Sequence, residues 1–267
     1  MNTGKKRLKA LLQGALYILL YYLISVGVQF VFLFWQRKIL NKSIAEAYND
    51  IVDYTYALSS ISAIFSIFVF GFIGKLRKAP IHTIIKNEKV VPIVNIMAVC
   101  MAIGARLLVS VFYSYAQKVQ PLKESIESAG EAVPNFHTFG QIIVALFAII
   151  VLMPFFEEIL FRGLIMGELM KSFRPSAAII IQAVFFAVAH MVLFQSIFTF
   201  GVGVLLGIVY YKTQSLKTVT LFHGAFNLSV IIPQIDMSLK SVIVYGISGI
   251  VLCFFSLAYI ILYGRNK

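Results

Sequence analysis

Two adjacent carboxylates, Glu157 and Glu158, follow a long apolar stretch of this 267-residue chain, and Arg162 stands nearby. Ionisable groups in apolar surroundings are costly to bury, so they are candidates for functions such as proton transfer. Glu158 and Arg162 are four residues apart, share a helix face and can form an ion pair. Glu157 points about 100° away around the helix and stays available for chemistry. The alternative is a helix end at the cytoplasmic interface, where the Glu158–Arg162 pair snorkels to water.

Two of the four histidines also lie within apolar runs. His190 lies within one such run, and His223 precedes Asn227 by four residues, which places the latter two on one helix face. Taken singly, a histidine in an apolar helix is more often a hydrogen-bonded residue of a bundle than a catalyst. Whether these histidines have a catalytic or a structural role therefore depends on whether they lie close to the carboxylates.

The spacing from a turn predicts that they do meet. Pro175 favours a turn directly after Arg174, because proline opens a helix well and interrupts one badly. Glu157 lies 17 residues before Arg174 and His190 lies 16 residues after it. In an antiparallel helical hairpin, such equal distances mean equal heights. His223 is near the start of a helix entering from the same side, so we expect three polar clusters to converge. Pro154, just before the glutamates, is expected to kink its helix and free a carbonyl.

The composition indicates what kind of elements position these residues. The chain is 60% hydrophobic and 13% charged, whereas soluble domains are about a quarter charged. These values exclude an ordinary soluble enzyme and predict an all-α, polytopic membrane helical bundle. A span takes about 20 residues, and eight apolar runs supply about eight transmembrane helices: 10–35, 51–74, 90–116, 139–156 continuing to 173, 176–194, 196–211, 218–233 and 241–263. The segment 117–138 is expected to be a solvated outer loop.

The formal net charge of +12 is explained by topology. With a cytoplasmic N-terminus, 15 Lys and Arg residues fall in inside segments and 6 in outside segments. Because cytoplasmic loops carry the excess of basic residues, both termini are predicted to be cytoplasmic. Anionic lipid of the bilayer is then the expected partner of these charges. Nucleic acid is not needed to explain them.

Together, the polar clusters resemble the signature of a known family. An EExxxR segment at 157–162, an FxxxH segment at 186–190 and an HxxxN segment at 223–227 follow one another on successive predicted helices. This set is similar to the motifs of the CAAX protease and bacteriocin-processing (CPBP, or Abi) family of intramembrane proteases. The resemblance covers roughly 139–233, interpreted as the catalytic core of one integrated bundle. Residues 1–138 hold the first three spans with their loops, and 234–267 hold the last span.

The resemblance implies hydrolysis of a peptide bond within or at the edge of the membrane. Such hydrolysis needs a base for water and donors for the tetrahedral oxyanion. Glu157 then corresponds to the general base, and His190 helps to position or activate the water. His223 and Asn227 correspond to the oxyanion donors, through a neutral imidazole N–H and an amide N–H.

The supporting residues and the cofactor are less narrowly defined by the resemblance. Glu158 and Arg162 correspond to an ion pair that orients the base or grips the substrate backbone. A metal-dependent version is open, because Glu157, His190 and His223 form a plausible catalytic zinc set. The chain lacks an HExxH helix, and a water held by Glu and His needs no further ligand. We therefore favour a glutamate-type protease without a cofactor, with zinc as the alternative.

Two other classes of protein compete with the protease. The first is a non-catalytic membrane scaffold, regulator or bacteriocin-immunity protein of the same fold, which could lose Glu157 or His190 without harm. The second is a transporter, in which buried Glu, Arg and His form a proton or substrate path; it predicts an internal repeat, and none is visible. The intact motifs favour the enzyme.

The substrate is the least defined part of the sequence interpretation. The family name implies prenylated CAAX peptides, whereas other members process or counteract bacteriocins or mature signalling peptides. The topology favours a multi-pass protein of a bacterial cell membrane, where CAAX prenylation is not expected. A short membrane-associated peptide or a membrane protein is therefore the expected substrate.

Overall fold

The computed structural model describes residues 3–77, 85–131, 134–229 and 238–264, and this part of the chain is folded into helices without β-strands. The predicted all-α class is therefore confirmed. The helices are α1 (Thr3–Lys38), α2 (Ile44–Asp53), α3 (Thr55–Leu76), α4 (Pro92–Ala116), α5 (Gln120–Glu131), α6 (Phe139–Met170), α7 (Pro175–Val188), α8 (Leu193–Thr213), α9 (Leu216–Leu228) and α10 (Leu239–Tyr263).

Six of these helices are long and apolar enough to cross a membrane, namely α1, α3, α4, α6, α8 and α10. Helix α7 is apolar but has only 14 residues, and at 1.5 Å per residue it is about 21 Å long. Helix α9 has 13 residues. All eight predicted runs contain a helix, but two of them fall short of a full span. The end of the seventh run and the predicted boundary at 233–234 lie outside the described residues.

Two short helices were not expected from the sequence. Residues 117–138 were expected to form a loop, but α5 occupies Gln120–Glu131. Helix α2 begins with a capping box, in which Ser43 and Glu46 each accept a hydrogen bond from the other's backbone N–H. The hydroxyl and N–H of Ser43 hold the pKa of Glu46 below its usual range. This Ser-x-x-Glu pattern is a sequence signal from which α2 could have been predicted.

Helix α6 is the central helix of the bundle. Residues 158–166 are all buried. Phe156, Leu160 and Leu164 pack into an apolar cluster with α1, α3 and α7. Ile159 and Met166 pack into a second cluster, formed mainly by α4, α8, α9 and α10. The glutamate pair therefore lies on the helix that joins the two halves of the core.

The same helix departs from regular α-helical geometry on both sides of the glutamates. π-helical segments occupy Ala148–Leu152 and Ile159–Ile165, and Pro154 lies between them. Proline has no N–H, so it leaves the carbonyl of Ile150 without its normal helical donor. Segments of π-helix are frequent at functional sites, because they change the direction of side chains along one helix.

Helix α9 packs against α6 where the backbone carbonyls are exposed. The Asn227 side chain donates a hydrogen bond to the carbonyl of Ile149 over 3.0 Å. A Cβ added at Gly224 would fall well inside contact distance of the carbonyl oxygen of Ile150. Because that oxygen belongs to the backbone, it cannot move aside as a side chain can. Glycine is therefore required at 224 for the HxxxN segment to reach α6.

We expect Gly224→Ala to lower the free energy of unfolding by about 1–3 kcal/mol, the usual cost of overpacking a well-packed core. Denaturation of the purified protein in detergent measures this. Gly201→Ala on α8 is the matched control, because its added Cβ meets open space. Equal stability of the two variants would contradict the close contact between α9 and α6.

Candidate active site

The predicted ion pair between Glu158 and Arg162 is present and completely buried. The Arg162 Nη1 donates to Glu158 Oε1 over 2.9 Å, and neither side chain is exposed. Snorkelling to water is therefore not how this pair is stabilised. Arg162 also lies over the ring of Phe186, 4.6 Å from its centroid, and its Nη2 donates to the carbonyl of Gly203 over 3.4 Å.

His223 lies between the two glutamates. Its Nδ1 is 2.7 Å from Glu158 Oε1, and its Nε2 is 3.7 Å from Glu157 Oε2. The two carboxylates thus face opposite edges of one imidazole, although regular helical geometry would point them about 100° apart. A carboxylate paired with Arg162 accepts only, so the Nδ1 of His223 carries a proton and donates it to Glu158.

His190 lies just beyond the last residue of α7. Its Nδ1 is 2.7 Å from the carbonyl oxygen of Phe186. A carbonyl can only accept, so this bond assigns the ring proton to Nδ1 and leaves the lone pair of the neutral ring on Nε2. The ring of Phe186 makes edge contacts with both histidines, with centroids 4.8 Å from His190 and 5.7 Å from His223. Phe186 thereby separates the two imidazoles and supports both.

Glu157 and His190 line one small cavity of about 150 Å³. The side chain of Glu157 is 21% exposed, whereas that of Glu158 is fully buried. Among the described residues, Glu157 Oε2 has no hydrogen-bond donor. The cavity wall is formed by residues of α1, α6 and the end of α7, namely Ile18, Tyr21, Tyr22, Phe156, Glu157, Leu160, Phe161, Ala189 and His190.

The predicted convergence of the three motifs is therefore present, with one difference in arrangement. His223 contacts both glutamates, and His190 shares the cavity with Glu157. Asn227 is partly buried and bonds to the carbonyl of Ile149, and it does not line the cavity. Of the two amide protons of Asn227, this bond uses one.

Three residues near the site were not predicted from the sequence. Gln182 donates to the carbonyl of Gly203 over 2.8 Å, beside the guanidinium of Arg162. It could have been found, because it is a polar residue on an apolar helix and lies eight residues before His190. Tyr21 and Tyr22 come from α1, and nothing in their spacing connects them with the motifs.

Close packing of α7 against α8 fixes the position of the FxxxH segment. A Cβ at Gly203 would lie 3.2 Å from the Cα of Ala183, and a Cβ at Gly207 would lie 2.7 Å from the Gln182 amide nitrogen. The GxxxG spacing of α8, from Gly203 to Gly207, thus serves close helix packing.

The zinc set predicted as the alternative has no metal-site geometry in the described part of the chain. No three His, Cys, Asp or Glu side chains there are grouped as ligands of one ion. One edge of His223 is taken by Glu158, and one edge of His190 by a backbone carbonyl. The metal ligands Glu157, His190 and His223 therefore remain a sequence-based prediction.

Comparison with protein families gives a match for this part of the chain. Residues 139–229 match the family described as Type II CAAX prenyl endopeptidase Rce1-like. This matched segment, which is similar to that family, is called the Rce1-like domain. The resemblance inferred from the three motifs is thus confirmed, and it connects the chain with CAAX-type intramembrane proteases in general. No curated protein and no solved structure matches the chain.

The Rce1-like domain contains every motif residue but does not complete the cavity by itself. Glu157, His190, His223 and Asn227 all lie within 139–229. Tyr21 and Tyr22 lie in the N-terminal part of the chain, outside the matched segment. Helix α1 therefore contributes one wall of a site whose ionisable residues belong to the Rce1-like domain.

We expect Arg162→Met to destabilise the Rce1-like domain by about 3–5 kcal/mol, because it removes the guanidinium that pairs with the buried Glu158 charge and leaves only His223 beside it. The midpoint of denaturation in detergent measures the loss. The double variant Glu158→Gln with Arg162→Met is expected to recover part of it, since both charges are then removed. A single variant as stable as the unmodified protein would show that the pair is not needed to bury Glu158.

Proposed function

We propose that the chain is an intramembrane endopeptidase of the glutamate type, which hydrolyses a peptide bond of a membrane-associated peptide or protein. The observation that carries this proposal is the shared cavity of Glu157 and His190. The neighbouring carboxylate, Glu158, is neutralised by Arg162 away from that cavity. One glutamate therefore stabilises the site while the other faces the space where water and substrate meet.

In the proposed reaction, water is activated between Glu157 and His190. The carboxylate of Glu157 lines the cavity and can only accept hydrogen bonds when ionised, so a water molecule in the cavity can donate one to it. The Nε2 of His190 carries a lone pair and can accept the second hydrogen of that water. When the water oxygen attacks the peptide carbonyl carbon, its proton passes to Glu157.

The oxyanion formed by this attack requires donors, and His223 and Asn227 are proposed for that role. The Asn227 amide has a second N–H beyond the one that bonds to Ile149. His223 donates through Nε2 only as an imidazolium, because Nδ1 already donates to Glu158. With both glutamates and Arg162 charged, a protonated His223 makes the four-residue cluster electrically neutral, which lowers the cost of burying it. This differs from the neutral imidazole donor inferred from the sequence.

The second half of the reaction returns the proton. When the tetrahedral intermediate collapses, the C–N bond breaks and the proton held by Glu157 passes to the leaving nitrogen. The products are a carboxylic acid and an amine, so one water molecule is consumed and the site returns to its starting state. No covalent enzyme intermediate forms, since none of the proposed residues acts as a nucleophile.

The substrate proposed is a short membrane-associated peptide or a membrane protein of a bacterial cell membrane. A cavity of about 150 Å³ is smaller than the roughly 300–1,000 Å³ of small-ligand pockets. It accommodates a scissile peptide unit, while the rest of an extended substrate lies outside it. The exposed apolar surfaces of α1 and α3 leave such a substrate in contact with lipid.

Glu157→Gln is expected to lower peptide hydrolysis by about 10²–10⁴-fold, the contribution of a positioned general base. Mass spectrometry of peptide and membrane-protein termini compares cells carrying this variant with cells carrying the unmodified chain at matched abundance. Glu127→Gln is the control, because its side chain is 61% exposed on α5. Termini that disappear only with Glu157→Gln identify the substrate. Unchanged termini, with the substrate present, would favour a non-catalytic scaffold or immunity protein instead.

Metal removal separates the glutamate-type reaction from the zinc-dependent alternative. We expect activity on an identified substrate to survive dialysis against 1,10-phenanthroline, since water is held by Glu157 and His190. Loss of activity that is restored by zinc, but not by magnesium, would establish the metal-dependent version with Glu157, His190 and His223 as ligands.

A further inference from the structure

The end of helix α7 is held in part by side-chain donors. The chain leaves the helix through Met191 at a φ of 56°, a left-handed conformation that costs a non-glycine residue energy. The last carbonyls of a helix have no intrahelical partners, and a buried one must find a donor elsewhere. His190, which the proposed reaction uses, stands in this turn.

The carbonyls of residues 185–189 each have an identified donor. Those of Phe185, Ala187 and Val188 accept backbone N–H groups of the next few residues. The carbonyl of Phe186 accepts the Nδ1–H of His190. The carbonyl of Ala189 accepts the hydroxyl of Tyr22, which comes from α1 and is 167 residues away in sequence.

Helix α1 packs closely against α6 and α7 around the hydrogen bond from Tyr22 to Ala189. A Cβ at Gly14 would lie 3.0 Å from the ring of Phe185 on α7, so the two helices approach closely there. The ring of Tyr21 packs on Phe156, with centroids 4.8 Å apart. Tyr22 and Ala189 both line the cavity of Glu157 and His190. The hydroxyl thus bonds to the residue directly before His190, at the wall of the site.

We propose that Tyr22 is a positioning residue of the active site, which holds the Ala189 carbonyl and thereby fixes the ring of His190 relative to Glu157. This inference rests on the proposed hydrolysis of a peptide bond. Because a small displacement of a catalytic group costs rate and leaves binding nearly unchanged, Tyr22 acts on kcat. It is a contribution from outside the Rce1-like domain, made by the first helix of the chain.

Tyr22→Phe tests this inference, because it removes only the hydroxyl. We expect kcat to fall about 10-fold, with KM changed less than about 2-fold. Incorporation of p-aminophenylalanine at position 22, which retains an N–H donor, is expected to restore most of kcat. Tyr17→Phe is the matched control, because it also removes a hydrogen-bonded tyrosine hydroxyl from α1. That hydroxyl accepts a hydrogen bond from Arg77 over 2.9 Å. It is expected to leave kcat unchanged.

A second measurement separates positioning from general packing of α1. In a His190→Gln background, Tyr22→Phe is expected to have no further effect, because the group that it positions is gone. Equal losses from Tyr22→Phe and Tyr17→Phe, or additive losses with His190→Gln, would overturn the inference. Glu157→Gln is assayed alongside: if that variant is active, the proposed function fails, whatever the result at Tyr22.

Discussion

The buried carboxylate of Glu158 is the group on which the arrangement of the site depends. An ionised carboxylate without solvent is stable only when charged and polar partners surround it. Arg162 and His223 both approach its Oε1, at 2.9 and 2.7 Å, from α6 itself and from α9. Because one oxygen serves both partners, the guanidinium and the imidazole have fixed positions relative to each other. The charge of Glu158 thus ties the EExxxR and HxxxN segments together and leaves Glu157 facing the cavity.

Helix α6 can hold this charge because residues 158–166 are all buried and because the helix is irregular in two places. The π-helical segments at Ala148–Leu152 and Ile159–Ile165 alter the direction of side chains around the glutamates. In the first segment, the carbonyl of Ile149 accepts a hydrogen bond from Asn227 of α9. Within the second, Arg162 pairs with Glu158 while Phe186 covers its face. The same irregularity that costs helical hydrogen bonds therefore provides attachment points for the neighbouring helices.

The sequence predicted the parts of the site whose signals are chemical, and missed those that arise from geometry. Charged residues in apolar runs and the turn at Pro175 were sufficient to predict that the motifs converge. The facing of Glu157 and Glu158 across one imidazole was not predictable, because it depends on how α9 packs against α6 and places His223. The hydroxyl of Tyr22 was beyond prediction as well, since tyrosine in an apolar helix has many ordinary roles. The roles of the motif residues in catalysis remain predictions.

The short length of α7 connects these observations. At about 21 Å it cannot cross a hydrocarbon layer of about 30 Å, so the chain turns before it has crossed that layer. Exposed carbonyls at that depth are tolerated only where protein groups satisfy them. Here the donors include the side chains of His190 and Tyr22, so the groups that complete the helix end are also groups of the cavity. Because α7 ends early, polar groups are needed at this depth to satisfy its last carbonyls. The same helix end places His190 at the cavity that it shares with Glu157. The hydrogen bonds that satisfy the backbone carbonyls at the end of α7 therefore also hold the residues that build the site.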